Sequence, residues 1–237
     1  MKIALYPIPV LIATVLWLIG AEFQGRRGQV YIAKPLSTLI VIAVAMLSLL
    51  EPTRNPLYTT GVLVGLLFSL GGDVALMFPE RPKAFLVGLV LFLIAHIVYT
   101  VVFTALGRFS PGDVLSALLL LAAGVGFYRL IRAGLGPLKK PVIGYMLVIS
   151  VMVHRAFSTF ASPLFTTGQA AMIAAGALLF YLSDVILAAN RFWRPWKYHR
   201  WSLALYYSGQ LLIALAASFF GCVPVLSGWA AGLFAWP

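Results

Sequence analysis

The chain has 237 residues, of which 10% are charged and 62% hydrophobic, and its mean hydropathy is +1.00. Soluble domains run at about 25% charged and 45–50% apolar, so a water-soluble globular enzyme, a disordered chain and a coiled coil are all excluded. A lone cysteine, Cys222, cannot close an internal bridge, which excludes a disulfide-stapled domain and leaves the redox compartment open.

What remains is an all-α, polytopic membrane protein. A membrane barrel is excluded because the apolar residues come in long unbroken runs instead of alternating with polar ones. A spanning helix needs about 20 mostly apolar residues, and eight such runs occur. The first, 4–22, follows Lys2 as a signal peptide would, but no small-residue cleavage site follows before Glu22, so it reads as a retained helix. The others are 31–50, 58–78, 84–106, 113–132, 139–158, 168–190 and 202–221. Pro52 and Pro56, Pro79 and Pro82, Pro111, Gly136 with Pro137, Pro163, and Pro195 fall between them. The stretch 222–237, with Pro224 and Gly228, is too short for a ninth span and reads as interfacial or as an extension of the eighth. Every connection is short, so residues 1–237 read as a single transmembrane domain.

The net charge of +11 would suggest nucleic acid in a soluble protein. Here the cations sit between apolar runs, so no nucleic-acid partner is expected, and anionic lipid headgroups account for them. Lys2, Arg54, Arg108 and Arg155 fall on one side of the bundle and the remaining Lys and Arg on the other. The positive-inside rule places the richer side in the cytoplasm, and both termini on the non-cytoplasmic side of the membrane, the inner one in a bacterium.

Glu22, Glu51, Glu80 and Asp113 lie at span ends, where water is available. Asp73 and Asp184 lie inside apolar helices, where a carboxylate costs several kcal/mol unless it is paired, protonated or turned to a wet cavity. Measured from the predicted ends of spans three and seven, both are roughly 8–9 Å inside the same boundary. Two acids at matched depth can share a site. The residues flanking them are alike, which hints at a duplicated four-helix unit. Lys34, followed by Pro35, opens helix two on the cytoplasmic side. It reads either as a snorkelling cation or as a partner for a phosphate or carboxylate. His96 and Tyr99 are three apart and share a face of helix four; Tyr206 and Gln210 are four apart on helix eight. Helix-packing hydrogen bonds are the plain alternative for these four. Ser183 precedes Asp184 and reads as orienting it. Gly71 and Gly72 would let a backbone or ligand approach Asp73. The loop 191–200, dense in cations and aromatics, reads as an interfacial belt or as a headgroup mouth.

A zinc site needs three or four ligands in one shell. Asp73, Asp184 and His96 are the only plausible donors, without a close His pair, so no metal and no cofactor is expected. Nucleophilic serine chemistry lacks its Gly-x-Ser-x-Gly elbow. A carrier using Asp73 and Asp184 as proton sites stays open. Paired carboxyls in a low-dielectric pocket suit acid/base chemistry through an oxocarbenium ion, because repulsion and lost hydration keep one acid protonated while the other ionises.

The segments FSLGGDVALMF (68–78), FLVGLVLFLIAHIVYTVVF (85–103), GALLFYLSDVILAANRF (176–192) and YYSGQLLI (206–213), with AKPLSTL (33–39), resemble the YhhN family of membrane proteins, which includes lysoplasmalogenases. One departure is Gly209, where the family's pattern has Ala before Gln, a small-for-small exchange. The resemblance implies an eight-helix membrane enzyme that hydrolyses the vinyl-ether bond of lysoplasmalogens to a fatty aldehyde and glycerophosphoethanolamine or glycerophosphocholine. Its partners would be a lysophospholipid substrate and membrane lipids. Lys34, Asp73, His96, Tyr99, Asp184, Tyr206 and Gln210 match the motif positions. Asp184 is then expected as the acid and Asp73 as the base, with His96 or Tyr99 holding the pair or water, and Lys34 or the 191–200 loop facing the phosphate. Another membrane lipid hydrolase, metal-dependent or ester-cleaving, and the carrier are the alternatives.

Overall fold

The structure is a computed structural model that describes residues 2–78, 80–197 and 199–220. Pro79, Tyr198 and the 222–237 stretch, with Cys222, Pro224 and Gly228, lie outside the described residues. The chain forms α1 (Ile8–Phe23), α2 (Arg27–Leu47), α3 (Pro56–Leu76), α4 (Pro82–Leu106), α5 (Gly112–Ile131), α6 (Lys139–Phe157), α7 (Thr167–Phe192) and α8 (Ser202–Ala216). Among the described residues there is no strand, and eight helices, counted with their flanking 3-10 turns, are long and apolar enough to cross a membrane. The eight expected runs are all there. The eighth stops at Ala216 instead of 221, because the chain tightens into a 3-10 turn over Ala217–Phe219, a change to which hydropathy is blind.

Local chemistry sets the helix starts. Asn55 caps α3 by accepting the Tyr58 amide at 3.1 Å, with Pro56 pre-set in the first turn. A reciprocal capping box between Thr166 and Gln169 opens α7. Gly25, at φ +67°, makes the tight turn from α1 to α2.

The helices pack most closely as α3 on α4 and α7 on α8. Further contacts join α4 to α6, α8 to α2, α2 to α3, α6 to α7, α1 to α2 and α5 to α6. Raising each helix number by four, cyclically, maps these pairs onto one another, while the lesser α1–α8, α3–α8 and α5–α7 contacts lack counterparts of similar extent; it carries α3 onto α7, the two helices that hold Asp73 and Asp184. The outer faces are apolar (Leu115, Leu118 and Leu121 on α5 are largely exposed), as hydrocarbon requires.

Gly209 is not exchangeable for alanine in this bundle. A Cβ there would lie 2.6 Å from the Gly176 carbonyl oxygen and 2.9 Å from the Phe180 amide nitrogen, both backbone atoms of α7. Glycine at both 176 and 209 lets α7 and α8 approach almost backbone to backbone. Gly209→Ala is expected to cost about 1–3 kcal/mol, the usual range for overpacking, and to lower the unfolding temperature measured in detergent.

Candidate active site

Asp73, on the last turn of α3, is 2% exposed and receives donors from two other helices. Thr38 Oγ1 of α2 donates to its Oδ2 at 2.6 Å, and Tyr206 OH of α8 donates to the same oxygen at 2.7 Å. Lys34 Nζ lies 3.4 Å from Oδ1. Lys34 is thus buried against a carboxylate and does not snorkel. Thr38 sits one turn beyond Lys34, so the helical repeat of α2 brings both to one face. Tyr207 ties the same turn down by donating to the Lys34 carbonyl at 2.9 Å. Behind Asp73, Gln210 links three elements: Tyr99 OH donates to its Oε1 at 2.9 Å, and its Nε2 donates to Ser69 Oγ at 2.9 Å and to Tyr206 OH at 3.5 Å.

Asp184 is held from α6. Tyr145 OH donates to its Oδ2. Ser183 makes no hydrogen bond to Asp184, so the orienting group is Tyr145, a residue that periodicity alone does not single out. His96 is fully buried between Tyr145 and Phe180, with ring centroids at 5.3 and 4.6 Å, and among the described residues neither ring nitrogen has a hydrogen-bond partner. His96 and Tyr99 do not work as one pair: His96 packs on α6 and α7, whereas Tyr99 reaches α8. Gly72 is close to the Phe92 ring of α4, where a Cβ would lie 2.7 Å from it, so this glycine accommodates a helix neighbour.

Two cavities meet at Asp184. A polar cavity of about 420 Å³ is lined by Lys34, Asp73, Ser183, Asp184 and Tyr206, and its wall includes Arg27, Arg191, Arg200 and Glu22. Arg200 pairs with Glu22 at 3.2 Å, and Arg191 stacks over the Phe85 ring at 3.8 Å. The second is an apolar slot of about 70 Å³ between α4, α6 and α7, whose wall includes Tyr145, Met146, Tyr181 and Asp184. The 191–200 loop divides its roles: Arg191, Pro195, His199 and Arg200 line the polar cavity, while Trp193 and Trp196 are exposed in the manner of an interfacial belt.

The helix ends that set the depth of the two aspartates differ from the expected ones. Asp73 stands three residues before the end of α3 at Leu76, and Asp184 eight before the end of α7 at Phe192. The two still line one cavity, because α7 runs further past it than α3 does. Among the described residues no three His, Cys, Asp or Glu side chains are grouped closely enough to hold a metal ion, so no ligand set is assigned.

Eight spanning helices around a cation-rimmed pair of carboxyls define an integral, polytopic membrane protein with an internal cavity. The sequence profile of the YhhN family matches residues 29–217, and the chain belongs to that family. It is 36% identical over 163 residues to lysoplasmalogenase TMEM86B of Sus scrofa, covering 68% of this chain and 65% of that protein. It is 33% identical over 162 residues to lysoplasmalogenase TMEM86B of Homo sapiens, covering 68% and 64%. It is also 27% identical over 203 residues to the membrane protein YhhN of Escherichia coli O157:H7, covering 83% and 91%. The chain thus spans just under two thirds of the length of the mammalian relatives it matches. No solved structure matches it.

Proposed function

We propose that this protein is a lysoplasmalogenase, hydrolysing the vinyl-ether bond of a lysophospholipid to a fatty aldehyde and a glycerophospho-headgroup. One observation carries the reading: Asp73 and Asp184 face a single cation-lined cavity, and Asp184 also borders an apolar slot. A lysolipid has this same division, with a phosphate-bearing head joined to one hydrocarbon chain at the bond to be cleaved. The names of the mammalian relatives support the same activity.

In this scheme Asp184, with a single donor on it, is the acid, and delivers its proton to the alkene carbon remote from the ether oxygen. The positive charge that forms is shared between the other alkene carbon and the oxygen. Asp73, on which three donors converge, suits the carboxylate role. It stabilises the oxocarbenium ion and takes a proton from the attacking water. The resulting hemiacetal collapses as its hydroxyl loses a proton and the glycerol oxygen gains one, which releases aldehyde and alcohol. Arg27, Arg191 and Arg200 face the phosphate at the cavity wall. By the positive-inside rule that wall belongs to the cytoplasmic leaflet.

The test is mass spectrometry of products from the purified protein incubated with a lysoplasmalogen, beside an acyl lysophospholipid. Fatty aldehyde from the first alone is the expected result. Fatty acid from the second means an ester-cleaving enzyme, and no product from either, with lipid binding retained, means a carrier.

A further inference from the structure

Helix α5 is buried only near its ends. Asp113 and Ile131 are its only buried residues: Asp113 accepts hydrogen bonds from Ser158 Oγ at 2.9 Å and from the Ser110 amide at 2.6 Å, and Ile131 packs with Leu135 and Val142. Between these points α5 stands off from α6 and leaves a cleft of about 460 Å³. Its walls are two helical stripes, Ala117 to Tyr128 on α5 and Ile143 to His154 on α6, each recurring at three- and four-residue steps. Each stripe spans eleven residue steps, roughly 16 Å at 1.5 Å per residue. That is close to half the ~30 Å hydrocarbon core, the depth of one leaflet and so of one lipid chain. At one end of the cleft Ser116 Oγ and His154 Nδ1 join α5 to α6 at 2.9 Å.

The cleft adjoins the site. Met146 lines both the cleft and the apolar slot, and the slot in turn contains Tyr145 and Asp184. The slot alone, at about 70 Å³, is far below the roughly 300–1,000 Å³ of sites that bury a ligand of moderate size. It has room for the reacting bond and a few methylenes, whereas cleft and slot together reach that range.

We propose that the α5–α6 cleft receives the distal part of the substrate's hydrocarbon chain, which enters it from the Asp184 slot past Met146. This inference rests on the lysolipid reading of the site. It assigns the chain to a groove built from a half-detached helix, with the Ser116–His154 hydrogen bond as the stop that limits its length.

Gly124 gives a clean way to fill the groove, because it lines the cleft and a Cβ there would meet nothing within 4 Å. Ser150 lines it from α6. Gly126 is equally open but exposed and absent from the cleft wall, so Gly126→Phe is the control. The probe is a non-hydrolysable alkyl-ether lysophosphocholine with a diazirine at the end of its chain, photolysed with the purified full-length protein. Label is expected within residues 117–128 and 143–154, displaced by lysoplasmalogen. It should fall in both Gly124→Phe and Ser150→Phe and stay at the wild-type level in Gly126→Phe. Each methylene kept out of an apolar site weakens binding about fourfold. Exclusion of two or more therefore raises KM for a long-chain lysoplasmalogen by about an order of magnitude or more, while a short-chain analogue keeps its KM. Label on other helices, or unchanged label in both cleft variants, overturns the assignment. Label in the cleft without hydrolysis of any lysoplasmalogen leaves the chain site standing and overturns the catalytic reading instead.

Discussion

Asp184→Asn is expected to lower vinyl-ether hydrolysis by about 10²–10⁴-fold, the contribution of a positioned general acid, with little loss of stability. The asparagine oxygen can still accept the Tyr145 hydroxyl, so the α6–α7 contact survives while the transferable proton is gone. Product formation measured beside thermal unfolding separates the two effects. Tyr145→Phe is the graded companion: it removes the hydrogen bond that aims Asp184, worth about 1 kcal/mol, and should cost turnover about fivefold to tenfold. Full turnover in Asp184→Asn would sink the two-carboxylate scheme, since no other acidic side chain borders both the polar cavity and the slot.

Much of this arrangement was readable from residue order because a membrane punishes polar groups. In a chain with only six acidic residues, two inside apolar runs stand out without any structural knowledge. Lys34 and Thr38 are one helical turn apart, so Thr38 was within reach of the same periodicity that paired Tyr206 with Gln210. Tyr145 was not. It meets Asp184 across an interhelical contact, and a single tyrosine in an apolar helix carries no sign of its partner. Gly209 shows a different limit: its size is plain in the sequence, but the backbone atoms that forbid a methyl belong to α7 and become visible only once the helices are packed. The cleft beside α5 was hidden for a related reason. Hydropathy assigns α5 to the membrane as firmly as its neighbours and does not register that it is buried only near its two ends.

Lys34→Met is expected to give the largest loss of stability among single changes at the site. Lys34 Nζ is the cation nearest Asp73, at 3.4 Å, and both side chains are almost wholly buried. Removing one partner of a buried pair leaves the other charged and desolvated, which costs about 3–5 kcal/mol. For a chain of this size that is a fall in unfolding temperature on the order of 10 °C. Thr38 and Tyr206 still donate to Asp73 in the variant, but neither brings a positive charge. The cost should therefore belong to the unpaired charge and not to lost packing, since methionine retains most of the stem's apolar volume. A double variant distinguishes the two: Lys34→Met with Asp73→Asn removes both charges and should recover most of the lost unfolding temperature, because a buried ion pair seldom outperforms a neutral replacement of similar shape. Activity should not return with stability, as the carboxylate proposed to activate water is absent. A double variant as unstable as Lys34→Met alone would mean that the lysine acts through packing. A double variant that is stable and active would remove Asp73 from the reaction and leave Asp184 to work with some other base.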